Sequence, residues 1–183
     1  MLRTVAPLLL LGALAAPLGC GRANARRSVG LPVIPAGFAE QRGAGWRFAM
    51  PSAWQHAADA GAGVWVAIDP QPVNDYRANV SVVTEPFPGE SHAYARASEA
   101  LLRRQPGASV DATREDVVDG DPTLVVEARW SPKSSPLRDY RTMQTHLASR
   151  GTGYVITCSV SVAAFERYRS TCEAIMKSFA VER

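Results

Sequence analysis

The stretch that most constrains the fold runs from Gly153 to Phe179. Its first part, YVITCSVS, alternates with period two, so Tyr154, Ile156, Cys158 and Val160 fall on one face of a strand. Its second part, VAAFERYRSTCEAIMKSF, repeats apolar residues every three or four positions. Phe165, Tyr168, Cys172, Ile175 or Met176, and Phe179 then form one helical stripe. A strand followed at once by such a helix must bury face against stripe. Cys158 and Cys172 each sit on the apolar side of their element, so packing brings both sulfurs into one interface. A disulfide there is the favoured reading; the alternative is two buried thiols acting as small apolar side chains.

The compartment bears on that choice. The first twenty residues carry one charge, Arg3, and a short apolar run, Leu8 to Leu14, too brief to span a bilayer and suited to a signal peptide. The run ends in Ala16-Pro17-Leu18-Gly19-Cys20, which resembles a bacterial lipobox, where cleavage precedes a cysteine that then carries lipid. It departs from that pattern at Pro17, where leucine is usual; the alternative is an ordinary cleaved signal with Cys20 incidental. Residues 1–19 are therefore read as a signal peptide and Cys20 as the lipid attachment site. Of the three cysteines, lipidation would consume one and leave an even pair in an oxidising compartment. Gly21 gives no inner-membrane retention signal of the Asp type, so the expected location is the outer membrane, facing the periplasm or the cell surface.

Residues 20–45, rich in Gly, Ala, Arg and Pro without periodicity, read as the lipidated cysteine and a flexible tether. Residues 46–183 read as one domain, long enough for a core of its own. It opens with a strand from Trp46 to Pro51. A second strand follows at Val64–Asp69, with Val64, Val66 and Ile68 on one face and Trp65 on the other. A third spans Ala78–Glu85. A helix from Ser91 to about Gln105 carries the stripe Tyr94, Ala97 or Ser98, and Leu101, and Pro106-Gly107 stops it. Ser109–Val118 reads as a polar edge strand, Asp119-Gly120 as a hairpin turn, and Thr123–Trp130 as the returning strand with Leu124, Val126, Ala128 and Trp130 on one face. Asp139–Ala148 and the closing strand complete an antiparallel meander.

This order of pieces resembles the PsbP/Mog1/DcrB-like superfamily. The resemblance covers about Trp46 to Val181 and rests on GWRFAMPSAW, ANVSVV and the strand–helix close, with Trp46, Phe48, Pro51, Trp54, Phe165 and Ser178-Phe179 the most telling residues. It implies an α+β fold, an antiparallel sheet with helices packed against it. It also implies a binding or scaffolding role: members are mostly non-enzymatic and include photosystem accessory proteins, a nuclear-transport factor, envelope lipoproteins and secretion chaperones that hold apolar helices. Fold alone does not fix function.

The residues themselves offer little chemistry. His56, His92 and His146 fall in a turn, near a helix start and in a strand, and no G-x-S-x-G motif, P-loop or dinucleotide fingerprint is present. No enzyme, cofactor or metal is expected. Asp111–Asp121 lacks the ligand alternation of a calcium loop. The net charge of +3 is interspersed along the chain and implies no nucleic-acid partner. Asn79-Val80-Ser81 spells a glycosylation sequon but falls on a strand. Trp54, Trp65 and Trp130 could make an exposed aromatic platform; helix cover over Trp65 is the favoured alternative. The expected partners are the membrane, through Cys20, and a protein of the envelope. Two rival roles remain: a chaperone holding apolar segments of a client, which needs an uncovered apolar sheet face, and a hydrolase, which needs His146 beside a nucleophile and a carboxylate.

Overall fold

The computed structural model describes residues 34–57, 61–131 and 139–182. Cys20 and residues 1–19, read above as a signal peptide, lie outside the described residues. A seven-stranded antiparallel sheet forms the frame, built from β3 (Gln55–His56), β4 (Val64–Ile68), β5 (Asn79–Pro86), β6 (Ala108–Val118), β7 (Asp121–Trp130), β8 (Tyr140–Ser149) and β9 (Thr152–Ser161) in the order β3-β4-β5-β9-β8-β7-β6. A second sheet, β1 (Phe38–Gly43), β2 (Trp46–Pro51) and β10 (Ala180–Val181), has β2 at its centre. Helix α1 (Ser91–Leu102) lies on one face of the large sheet; α2 (Phe165–Ser178) and the small sheet lie on the other.

The meander β6–β7–β8–β9 follows from its turns. Asp119 and Gly120 have φ of 52° and 80°, and Arg150 and Gly151 have φ of 52° and 81°. Both are two-residue hairpin turns with positive φ at each position, the kind whose twist matches that of paired strands. They set the registers Val118↔Asp121 and Ser149↔Thr152.

On the α2 side the closing unit packs as its pattern dictates. Tyr154, Ile156, Cys158 and Val160 are buried beneath Phe165, Tyr168, Cys172, Ile175 and Met176. Cys158 and Cys172 are joined in a disulfide with Cα atoms 5.6 Å apart, and neither is exposed to solvent. The end of α2 is fastened to β2 through Ser178, whose Oγ accepts the Ala49 N–H at 2.9 Å and donates to the Ile175 carbonyl at 2.8 Å.

Four expectations differ from the structure. First, the ordered chain begins before Trp46: β1 occupies residues assigned to the tether and pairs along its whole length with β2. Gly43 lies directly under the Trp46 indole, where a Cβ would collide with the ring, so the Gly-rich stretch is a hairpin fitted to a tryptophan. Second, Trp65 faces the core and is covered by a sheet, with its ring edge-on to Trp46 at 5.5 Å and to Phe48 at 5.3 Å. Val64, Val66 and Ile68 take the opposite, half-buried face. Third, α1 ends at Leu102, and it buries Tyr94, Ala95, Glu99 and Leu102, whereas Leu101 is 57% exposed. Fourth, Val162–Ala164 form a 3₁₀ turn ahead of α2 instead of its first turn.

Candidate binding face

The two faces of the large sheet are closed to different degrees. On the α2 side one continuous core runs from Trp46 and Phe48 through Val80, Val82, Ile156 and Phe179. On the other side, α1 seats a separate small cluster in which Ala95 and Leu102 meet Leu124, Val126 and Ala128 of β7. That helix packs over β7 and β8, with the margin of its footprint on β6. The neighbouring half of this face, on β4, β5 and β9, has no covering helix among the described residues.

Cross-strand registers give the composition of that open half. Val64, Val83 and Val155 form one row; Val66, Ser81 and Thr157 the next; Ile68, Asn79 and Ser159 the third. All are half-buried except Ser159, which is buried. None is charged. β5 and β9 each have a strand on both sides, so an added strand cannot pair with them and any occupant must lie on top.

The wall of this face is one flank of α1. Tyr94 marks it: its hydroxyl donates to Glu85 of β5 at 2.6 Å and its ring covers Gly153 of β9. Burial and that carboxylate push the Tyr94 hydroxyl pKa up, keeping it a donor. Leu101 lies seven residues on, two turns along the same flank, and projects apolar surface toward solvent. The opposite flank is polar and tied to β6. His92 and Arg96 meet Glu115 at 3.2 and 2.8 Å. Glu99 accepts from Thr113 and Arg103, both at 2.7 Å. At the far end three rings stack: Tyr76 on Tyr140 at 5.5 Å, and Tyr140 on Trp130 at 6.1 Å. Burial pushes the Tyr76 hydroxyl up to about 12, and Asn79 donates to it at 3.4 Å.

No protein-family model matches the sequence, and a comparison with curated proteins finds no match. Solved structures do match. The cyanobacterial PsbP protein CyanoP of Synechocystis superposes with a TM-score of 0.55 at 17% identity, over 81% of this chain and 95% of that one. Mog1 gives 0.54 at 12%, over 79% and 94%. LpqN of Mycobacterium tuberculosis, described as involved in cell envelope biogenesis, gives 0.57 at 10%, over 75% and 83%. The fold is PsbP/Mog1-like.

Within this PsbP/Mog1-like domain the three histidines stand apart. His56 is exposed and lies against Trp65 at 5.2 Å; His92 faces Glu115 on the surface; His146 is buried at the centre of β8. The Nδ1 of His146 has no hydrogen-bond partner among the described residues, and the ring meets Tyr94 edge-on at 5.6 Å. Among the described residues no hydroxyl or carboxylate is hydrogen-bonded to the His146 ring. The three tryptophans do not share a platform: Trp54 and Trp65 are on the α2 side and Trp130 is on the other. The acids of Asp111–Asp121 are strung along β6 and turn β6–β7, where Asp111 pairs with Arg141 and Asp116 with Arg114. Asn79 of the sequon is half-buried, bonded to Tyr76 and to the Arg77 carbonyl at 3.2 Å.

One cluster carried no signal in the sequence. On the α2 side Glu127 receives Arg169 at 2.5 Å and Arg141 at 3.2 Å, and the Arg141 guanidinium lies 3.7 Å over the Phe165 ring. Asp111 and Glu166 complete it. It clamps the first turn of α2 to the sheet. Its residues come from four elements and are spaced too widely for any motif to show it.

Proposed function

We propose that this is an exported, lipid-anchored envelope protein whose domain works by binding another protein, without catalysis. The observation that carries the reading is the open half of the large sheet, an uncharged valine-rich floor walled by the apolar flank of α1. Its apolar positions, Val64, Val66, Ile68, Val83 and Val155, are half-buried and interleaved with Ser81, Thr157 and Asn79, a mixed uncharged surface suited to contact with a partner. The leader and Cys20 supply export and attachment, since the several acyl chains of a bacterial lipoprotein suffice for stable anchoring. Similarity in fold to LpqN agrees with an envelope setting. Gly21 favours the outer membrane. A second reading, holding apolar segments of a client, draws on the same open face, because backbone pairing is unavailable there and apolar contact is what the floor offers.

The test uses the full lipidated chain in envelope extracts, with Val66→Asp and Val83→Asp introduced together. Both side chains are half-buried on the open floor. The variant is expected to keep its melting temperature within a few degrees and to lose the partner recovered by the wild type. Equal recovery by both proteins refutes the binding face. Intact mass addresses the anchor separately: an unmodified Cys20, or cleavage elsewhere, refutes it.

A further inference from the structure

We propose that α1 is an acid-released latch with His146 as its lock, lifting off the sheet on acidification while the disulfide-bonded half of the domain stays folded. The helix has little end reinforcement of its own. Its N-cap Glu90 makes no side-chain cap bond, its first turn has no acid and its last turn no base. Two ties remain at its ends: Ser91 Oγ accepts the Ala148 N–H at 2.9 Å, and Arg103 at the C-cap pairs with Glu99 at 2.7 Å. Its apolar seat is the small cluster of Ala95, Leu102, Leu124, Val126 and Ala128, separate from the main core. Units with small private cores open independently of the whole.

His146 lies in that seat, 2% exposed, with Nδ1 unpartnered and the Tyr94 ring edge-on above it. The groups facing it are neutral. α1 presents Tyr94; β7 presents Leu124 and Val126; β9 presents Val155, its register partner; β8 contributes Gln144 and Ala148. The nearby acids are already engaged: Glu85 by Tyr94, Glu99 by Thr113 and Arg103, Glu115 by His92 and Arg96. Thr113 and Arg103 hold Glu99 below the usual carboxylate range, so that pair survives mild acid. His146 has no acid hydrogen-bonded to it among the described residues.

Burial pulls the His146 imidazole down from 6.5 to about 4. A base held below its open-state value costs nothing above pH 6.5. Its neutral form is progressively disfavoured as pH falls, and the full cost is reached below about 4. The opening constant of α1 should therefore rise about 150-fold between pH 7.5 and pH 4. Release would bare His146 and Gln144 of β8 beside the open floor and Leu124, Val126 and Ala128 of β7 beyond them, extending it. That consequence rests on the binding role proposed above; the latch itself does not.

Hydrogen exchange of the full chain, corrected for intrinsic rates, tests it between pH 7.5 and 4. Peptides from α1 should lose about two orders of magnitude of protection while those from β9 and α2 keep theirs. In His146→Gln the α1 protection should be flat across the range. Unchanged α1 protection in the wild type, the same loss in His146→Gln, or simultaneous loss in α2 overturns the proposal. Should the variant not fold, an NMR titration of His146 in the intact wild type decides: an imidazole that titrates at 6 or above overturns the latch. Partner recovery with the Val66→Asp, Val83→Asp protein at pH 7.5 is read separately, so either idea can fail alone.

Discussion

Reducing the Cys158–Cys172 bond should lower stability by about 3 kcal/mol, a value set by the 14-residue separation of the two cysteines through the chain-entropy model. The cross-link restricts the unfolded chain, so the loss appears in equilibrium unfolding without a new cavity in the folded state. For a domain of about 140 residues the unfolding entropy near the midpoint is roughly 0.3 kcal/mol/K, and the midpoint should fall by roughly 10 °C. Both sulfurs are fully buried, so the bond must be reduced in denaturant and the protein refolded under reductant. Calorimetry of the oxidised and reduced forms is the assay. The Cys158→Ala, Cys172→Ala double variant should fall further, because it also loses two buried sulfur atoms. Midpoints within 2 °C of each other for the two redox forms would refute the reasoning. A thiol count in denaturant adds a link to the N-terminus: the oxidised mature protein should show no free thiol when Cys20 carries lipid and one when it does not.

Three further outcomes are expected. Glu127→Ala should cost about 1–3 kcal/mol in urea unfolding, because Arg141 and Arg169 lose a shared, nearly buried partner but keep Asp111 and Glu166. Gly153→Ala should cost about 1–3 kcal/mol, since the new Cβ would sit 2.7 Å from the Tyr94 ring; exchange of α1 amides should quicken as the ring is displaced from Glu85. Removing residues 180–183 deletes β10 and the pairs Ala180↔Arg47 and Val181↔Trp46, and should cost about 2 kcal/mol in thermal unfolding while leaving α1 protection unchanged.

Much of this fold was legible because long periodic segments carry their own instructions. The meander, its Asp119-Gly120 hairpin turn and the strand–helix close were legible from patterns within twenty or thirty residues. Where both faces of a strand are apolar, the pattern is silent. β4 reads VWVAI, and either face could be the buried one. Trp65 turns inward because Trp46 and Phe48 of the small sheet offer it ring partners, edge-on at 5.5 and 5.3 Å, which lie far from it in sequence. On α1, Leu101 and Leu102 are adjacent, so one of them had to leave the stripe. Tyr94, Ala97 and Leu101 read together as the buried face, but Tyr94 and Leu101 lie on the flank beside the open floor. β1 was missed because its six residues, FAEQRG, are polar and short, and their pairing partner is what orders them. The ion cluster around Glu127 depends on contacts among β6, β7, β8 and α2, which no local reading supplies.

The placement of reinforcement explains why the open half lies where it does. On the α2 side the chain joins residues far apart in sequence: Ala49 to Ser178, Arg42 to Glu182 at 2.8 Å and Asp69 to Tyr168 at 2.7 Å. Such ties are costly to form and slow to find, because each closes a long loop before it returns any energy. Once made, they let this one face carry the stability of the domain. The other face is then free of that duty, and a single helix with a small private core is enough to finish it. A sheet stabilised from both sides could neither leave β4, β5 and β9 uncovered nor let α1 move without unfolding. Stability gathered on the disulfide side is the physical condition for a binding face, and for a movable helix, on the opposite one.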